Sequence, residues 1–319
     1  MSYTEAETES VRETRKLKQN GLLTYYNRYK ILYLLSLPGI IYFVVFKYIP
    51  LAGSMMAFQN YSIFEGIWKS EWVGMANFQR MFEFADFWRI LKNTLAIGFY
   101  TLVFGFPIPI ILALMMNELR NQLYKRFVQT AVYLPHFLSW VVVGGIVIEI
   151  LSPTSGVVNH VLTWFGQEPI YFMGEDSHIR TIIVSSGIWR DAGWSTIIYL
   201  AAMSGINPDL YEAAQMDGAT RWRQTISITI PSIMTTITIL FLLQIGNFLD
   251  LGFERVFVFL NPLTNSNGDI LDTYIYRVGL IQREYSYTTA IGLFKSVIGF
   301  VLIVTANTFS KRATGEGLY

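Results

Sequence analysis

Long apolar runs alternate with short polar stretches along this chain. Six runs, near 31–50, 94–116, 130–151, 181–203, 232–260 and 285–308, are almost free of charge. Each reaches the roughly 20 residues that a helix needs to cross a bilayer. Each is expected to be helical, because lipid offers nothing to hydrogen-bond a bare backbone. The fifth run is long and ends in Asp250, Glu254 and Arg255, so part of it is expected to project beyond the lipid. The second holds Pro107 and Pro109, each of which removes a helix hydrogen bond, so a kink or break is expected there. The loop 52–93 is long enough for a strand or short helix. Its aromatics (Trp68, Trp72, Phe78, Phe82, Phe87 and Trp88) predict that it folds onto the membrane face.

Charge sets the direction of the spans. With the N-terminus inside, segments 1–30, 117–129, 204–231 and 309–319 hold 13 Lys and Arg in 82 residues. The opposite segments 51–93, 152–180 and 261–284 hold 7 in 96. This bias predicts both termini in the cytoplasm, partly on the strength of the N-terminal tail. The first 30 residues are too long and too acidic for a signal peptide, so the first apolar run reads as a retained span. The division is then a tail 1–30, a transmembrane domain 31–308 containing a cytoplasmic loop 204–231, and a tail 309–319.

Composition adds little beyond this. The 319 residues are 52% hydrophobic with a net charge of +1, which suggests no nucleic-acid partner. There is no cysteine, hence no disulfide framework and no thiolate metal site or nucleophile. His136, His160 and His178 lack metal-ligand spacing, and Ser195 after Gly193-Trp194 has no histidine at a matching depth. The sequence lacks a G-x-x-x-x-G-K-[ST] phosphate loop, so this chain is not expected to hydrolyse ATP or bind a cofactor.

The loop 204–231 carries the sharpest local signals. Asn207 can cap a short helix with Pro208 in its first turn, where a missing N–H costs nothing. Gly218 can end that helix in the left-handed conformation. Thr220 can cap a second helix, which Pro231 closes at the entry to the fifth span. Ala213 and Ala214 are small enough for a partner to approach the backbone, and Glu212 offers a charge.

Glu212-Ala213-Ala214, then Gly218, Ile228 and Pro231, stand at the spacing E-A-A, three residues, G, nine residues, I-x-L-P. Only Ile230 departs, replacing Leu. The stretch resembles the EAA loop of bacterial ABC importer permeases. Further likeness runs through Phe46-Lys47-Tyr48-Ile49-Pro50, Phe106-Pro107-Ile108-Pro109-Ile110, Asn117-Glu118 and Tyr133-Leu134-Pro135-His136-Phe137. It continues through Ser155-Gly156 with Asn159, Gly252-Phe253-Glu254, Asp272-Thr273-Tyr274 and Asn307. The chain is similar to the LplB-like branch of the maltose-type, binding-protein-dependent oligosaccharide importers over nearly everything beyond residue 30.

The resemblance implies an all-α polytopic membrane protein: six transmembrane helices of the type I ABC importer permease fold with a cytoplasmic coupling helix. It implies that Glu212, Ala213, Ala214, Asp217, Gly218 and Pro231 couple the spans to a separate ATPase, which holds the ATP and Mg. The implied partners are a second homologous permease, two ATPase copies, an extracytoplasmic sugar-binding protein and membrane lipid. The implied function is non-catalytic: import of oligosaccharides across the bacterial plasma membrane by alternating access, with pectin- or alginate-derived fragments as reasonable cargo.

Polar residues inside the spans supply candidates for the sugar path, since ionisable groups there are expensive and usually face a cavity or a partner. Gln244, Asn247, Asp250 and Glu254 step by 3, 3 and 4 and would share one face of a continuous fifth helix. Trp189, Arg190, Asp191 and Trp194 could face them from the fourth span. Alternatively these groups lock helices together or pair across a two-permease interface. Lys295 and Arg190 lie at similar depth, about 15 Å in at 1.5 Å per residue. Two cations there hint at an acidic sugar, unless Asp191 or Asp250 neutralises them. The rival reading, an ion-coupled secondary transporter, predicts paired broken helices in two repeated halves. No repeat is seen.

Overall fold

The computed structural model describes residues 29–315 and residue 317; most of the basic tail 1–30 lies outside them. A helix or bent helix pair occupies each of the six predicted places. Helix α1 is Tyr29–Phe58, followed by strand β1 (Gln59–Asn60), α2 (Gly66–Lys69), strand β2 (Glu71–Trp72) and α3 (Ala76–Glu83). Helix α4 is Ala85–Asn117; α5 (Gln122–Phe137) and α6 (Trp140–Ile150) form a pair bent by 107°. Then come α7 (Val157–Trp164), α8 (Ile179–Ser204) and α9 (Asp209–Met216). Helices α10 (Arg221–Ser232) and α11 (Met234–Gly246) form a second pair, bent by 62°. After α12 (Phe253–Phe257) and α13 (Asn265–Gly268), α14 begins at Leu271–Tyr274 and continues as a π-helix over Ile275–Ile281. Helix α15 is Tyr285–Thr314.

By length and composition, α1, α4 and α15 can each cross a membrane alone, and five spans result if each bent pair counts as one. Helix α8, with 26 residues, is also long enough but carries Arg180, Arg190 and Asp191.

Prolines act differently from the expected break. Segments Val44–Tyr48, Thr101–Gly105 and Thr225–Thr229 are π-helical, and each starts six residues before a proline: Pro50, Pro107 and Pro231. A proline ring crowds the carbonyl four residues back and offers no N–H. The turn before it widens instead, as in the Ile49 N–H bond to Val44 O and the Ile230 N–H bond to Thr225 O. Helix α4 therefore runs on through Pro107 and Pro109 as 33 residues. The third predicted span, 130–151, does break: Pro135 lies in a 3₁₀ turn, Leu138 and Ser139 are extended, and Ser139 caps α6.

The fifth predicted span, 232–260, is corrected most. Helix α11 stops at Gly246, and Gly252 takes φ +82 before α12 starts afresh. Gln244 is thus helical, Asn247 and Asp250 lie in the turn beyond, and Glu254 belongs to another helix. The four do not form one helical stripe.

Three apolar clusters hold the bundle together. One gathers Ile97, Ile183, Val256 and Phe259; one gathers Met81, Phe87, Tyr274 and Tyr287; the third gathers Ala113, Tyr199, Met203 and Ile233. Helix α8 is central and packs along the second half of α4. It also lies tightly on α5, where a Cβ at Gly193 would fall 2.0 Å from Val132 O. The apolar middle of α1 is wholly exposed, and this helix joins the bundle through its 3₁₀ end against α15.

The loop after α1 forms both expected kinds of element. Strands β1 and β2 pair antiparallel with Gln59 opposite Trp72. Arg80 on α3 pairs with Glu284 at 2.8 Å, and Phe82 and Phe87 meet Phe294 of α15 edge-on. Trp68 and Trp72 remain exposed.

Candidate coupling loop and substrate path

The coupling loop folds much as its residues predict. Asn207 Oδ1 accepts from the Asp209 N–H at 3.0 Å, so α9 starts one residue later than expected, with Pro208 just before it. At its end Gly218 takes φ +76, the Ala219 N–H bonds to Ala214 O at 2.8 Å, and the Gly218 N–H bonds to Gln215 O at 3.0 Å. These two bonds make a Schellman cap, which needs the left-handed residue that glycine supplies. Thr220 Oγ1 accepts from the Arg223 N–H at 3.4 Å and starts α10. Pro231 lies in the last turn of α10, and the 62° bend follows it.

No residue of α9 is buried. Glu212, Ala213, Asp217 and Gly218 are exposed, and Ala214 is half-buried. Met216 is 88% exposed and Trp222 74%, two large apolar side chains of this loop that sequence reasoning had not singled out. Behind this surface the Tyr211 hydroxyl lies 2.8 Å from Thr229 Oγ1, and Arg221 reaches Glu118 at 3.2 Å.

The candidate path residues separate into two places. Gln244 lines a cavity of about 290 Å³ together with Thr101, Gly187, Asp191, Ser195 and Arg255. Asn247, Asp250 and Lys295 line another of about 330 Å³ between α11 and α15. Trp194 stacks on His136 with ring centres 4.7 Å apart; Trp194 and Trp189 are both exposed, and neither they nor Arg190 line either cavity.

Both cations named from the sequence are neutralised. Arg190 Nη1 lies 2.8 Å from Asp191 Oδ1, its Nε donates to Leu138 O, and its guanidinium covers the Trp140 ring at 4.7 Å. His136 Nδ1 lies 3.0 Å from the same Asp191 oxygen. Lys295 Nζ lies 2.5 Å from Asp272 Oδ1 and 3.5 Å from Asp250 Oδ1. Asp191 and Asp250 thus act as the neutralising groups the sequence allowed. Asp272 had been noted only for family likeness, because its distance from Lys295 is not readable from spacing.

Arg255 was read only as the charged end of a span. It is 8% exposed and runs between α4 and α8, with Nε and Nη2 on Ile183 O and Nη2 on Thr101 Oγ1. A charged residue just after a glycine-containing break in an apolar run was the available signal.

The comparisons agree with this architecture. A family described as the inner membrane component of binding-protein-dependent transport systems matches residues 105–315. The polygalacturonan/rhamnogalacturonan transport system permease protein YteP of Bacillus subtilis (strain 168) is 46% identical over 305 residues, covering 96% of this chain and 95% of that protein. Protein LplB of the same organism is 47% identical over 292 residues, 92% of each. A chain of the bacterial alginate ABC transporter, solved in complex with alginate pentasaccharide-bound periplasmic protein, superposes with a TM-score of 0.85 at 43% identity. That match covers 92% of this chain and 99% of the other. On the family match and these relatives, this chain belongs to the inner membrane components of binding-protein-dependent transport systems.

Proposed function

We propose that this chain is one of two homologous permeases of an ABC importer that carries acidic oligosaccharides, fragments of uronate-containing polysaccharides, into the cell. Two ATPase subunits dock on the cytoplasmic side and a sugar-binding protein delivers cargo outside. Both termini lie in the cytoplasm. The ATPase pair binds ATP and Mg, and its closure pushes α9; hydrolysis resets the path inward. This chain positions and passes the sugar without catalysing a reaction.

The observation that carries the reading is α9 itself. It is a capped helix with an exposed alanine surface, anchored behind by Tyr211 on the helix that enters the fifth span. A push on α9 is transmitted to the Thr225–Thr229 turn and across the bend into α11. The names of YteP and of the alginate transporter support an acidic polysaccharide fragment as cargo. The exposed apolar surface of α1 suits lipid and the second permease.

Uptake by proteoliposomes holding the whole importer tests this. Transport that requires internal ATP and survives collapse of ion gradients is expected. Transport that follows an ion gradient without ATP would establish a secondary transporter instead.

A further inference from the structure

The charges around Trp140 do not balance. Two guanidiniums face this indole, Arg190 at 4.7 Å and Arg255 at 6.0 Å. Asp191 pairs with Arg190, and no carboxylate among the described residues lies within 4.0 Å of Arg255. Its bonds go to a carbonyl and a hydroxyl, through Nε and Nη2. Nη1 has no hydrogen-bond partner among the described residues, and Arg255 lines the 290 Å³ cavity. The guanidinium lies close against Gly187: a Cβ there would sit 2.3 Å from Arg255 Cζ, so a larger residue would have to displace it. A buried cation without a counter-ion is costly, and such residues inside a membrane usually serve a ligand or a path.

The other cations in this region cannot fill that role. Lys295 already faces two carboxylates, Asp272 and Asp250, so its cluster carries a net negative charge. Arg190 is held by Asp191 and Leu138 O. Asp191 lines the same cavity with its charge engaged by Arg190, and Gln244 and Ser195 present side chains that make no hydrogen bond among the described residues. A guanidinium with a free donor and two unpaired neutral polar groups is a set that fits one carboxylate and neighbouring hydroxyls.

We propose that Arg255 reads a uronate carboxylate of the passing oligosaccharide, with Gln244 and Ser195 receiving hydroxyls of the same sugar ring. This rests on the acidic-oligosaccharide reading above and names the residue that enforces it. The carboxylate supplies the counter-ion missing beside Trp140. A neutral ring of the same shape leaves the guanidinium uncompensated and passes less readily.

The test uses the complete importer in proteoliposomes with internal ATP. The probes are trigalacturonate and trimannuronate, each beside its methyl ester, with uptake expressed as the acid-to-ester ratio. Arg255→Gln is expected to lower that ratio at least about tenfold, a factor equivalent to about 1.4 kcal/mol, and Arg255→Lys is expected to restore part of it. Thr101→Asp places a carboxylate where the hydroxyl now lies 3.2 Å from Nη2. It should lower the ratio similarly while leaving no charge unpaired, so it decides the matter if Arg255→Gln fails to assemble. Wild-type uptake of the acids, with ratios unchanged in these variants, overturns the assignment and leaves the acidic reading standing. Wild-type uptake of the esters alone, or of no probe, overturns the acidic reading and the assignment falls with it.

Discussion

The hydroxyl of Tyr211 and that of Thr229 meet at 2.8 Å, joining the exposed coupling helix to the buried face of the turn that leads into α11. One neutral hydrogen bond contributes about 1 kcal/mol, so it ties the two helices in register without holding the fold. Tyr211→Phe is expected to leave the importer assembled and its ATPase running, while sugar moved per ATP falls about fivefold. Parallel measurement of uptake and phosphate release checks this; an unchanged ratio would show that the push travels by another route.

Gly218 is constrained by its backbone and not by its surroundings. Its φ is +76, yet a Cβ there would meet nothing within 4 Å. The left-handed conformation costs other residues roughly 1–2 kcal/mol, and a β-branched residue is the poorest fit. Gly218→Val is expected to abolish transport in a chain that still reaches the membrane. Gly218→Asn, which tolerates this conformation, should retain most of it. Uptake normalised to membrane abundance is the readout, and equal losses in the two variants would exclude strain as the cause.

Ala213 is exposed and Ala214 half-buried, so the alanine that meets the ATPase is expected to be Ala213. Ala213→Cys should cross-link to a cysteine in the ATPase groove, and Ala213→Trp should block docking and transport. An active complex whose Cys pair never cross-links in any nucleotide state would remove the docking assignment.

The Lys295–Asp272 pair is expected to matter for stability before transport. Both side chains are less than one-fifth exposed, and Asp272 Oδ2 has no partner among the described residues. Removing one member of a buried pair costs about 3–5 kcal/mol. Lys295→Met should therefore lower the unfolding temperature of the detergent-solubilised complex strongly, and adding Asp272→Asn should recover much of the loss. Asp250→Ala should cost less, since Asp250 lies 3.5 Å away and is 66% exposed. Additive losses in the double variant would show that the pair does not act as a unit.

Topology is open to single-cysteine labelling in intact cells. Phe64, Phe165 and Ser266 are exposed on loops expected outside, and Gln122 and Gln215 are exposed on loops expected inside. Cysteines at the first three should react with an impermeant thiol reagent, and those at the last two should not. Ser70 lies in the same outer loop but is only 3% exposed, so it makes a poor reporter. Labelling of a cysteine at 215 from outside would reverse the orientation and remove the coupling reading.

Much of the coupling loop was legible because its determinants are local. Asn207, Gly218 and Thr220 each act within one turn of the backbone they cap, and the structure moves only the start of α9 by one residue. The fifth span was misread because a period of 3 and 4 implies a shared face only while the helix continues. The helix ends at Gly246, and four residues that looked like one stripe fall into a helix, a turn and a second helix. Proline was also ambiguous in sequence. Pro107 widens a turn within a continuous helix, whereas Pro135 lies at a bend of 107°. The same missing N–H is compatible with both.

The sequence by itself determined the apolar segments, the membrane setting and the helix caps of loop 204–231, because hydropathy and capping are properties of residues and their nearest neighbours. Only the tertiary structure decided which charges are satisfied. Lys295 meets Asp272 across 23 positions, and Arg255 reaches Ile183 across 72. Electrostatic pairing depends on distance through space and on burial, and no spacing along the chain encodes either. Arg190 and Lys295, the cations that stood out in the sequence, are therefore neutralised, while Arg255, which looked like the end of a span, is buried with no carboxylate of the described residues within 4.0 Å.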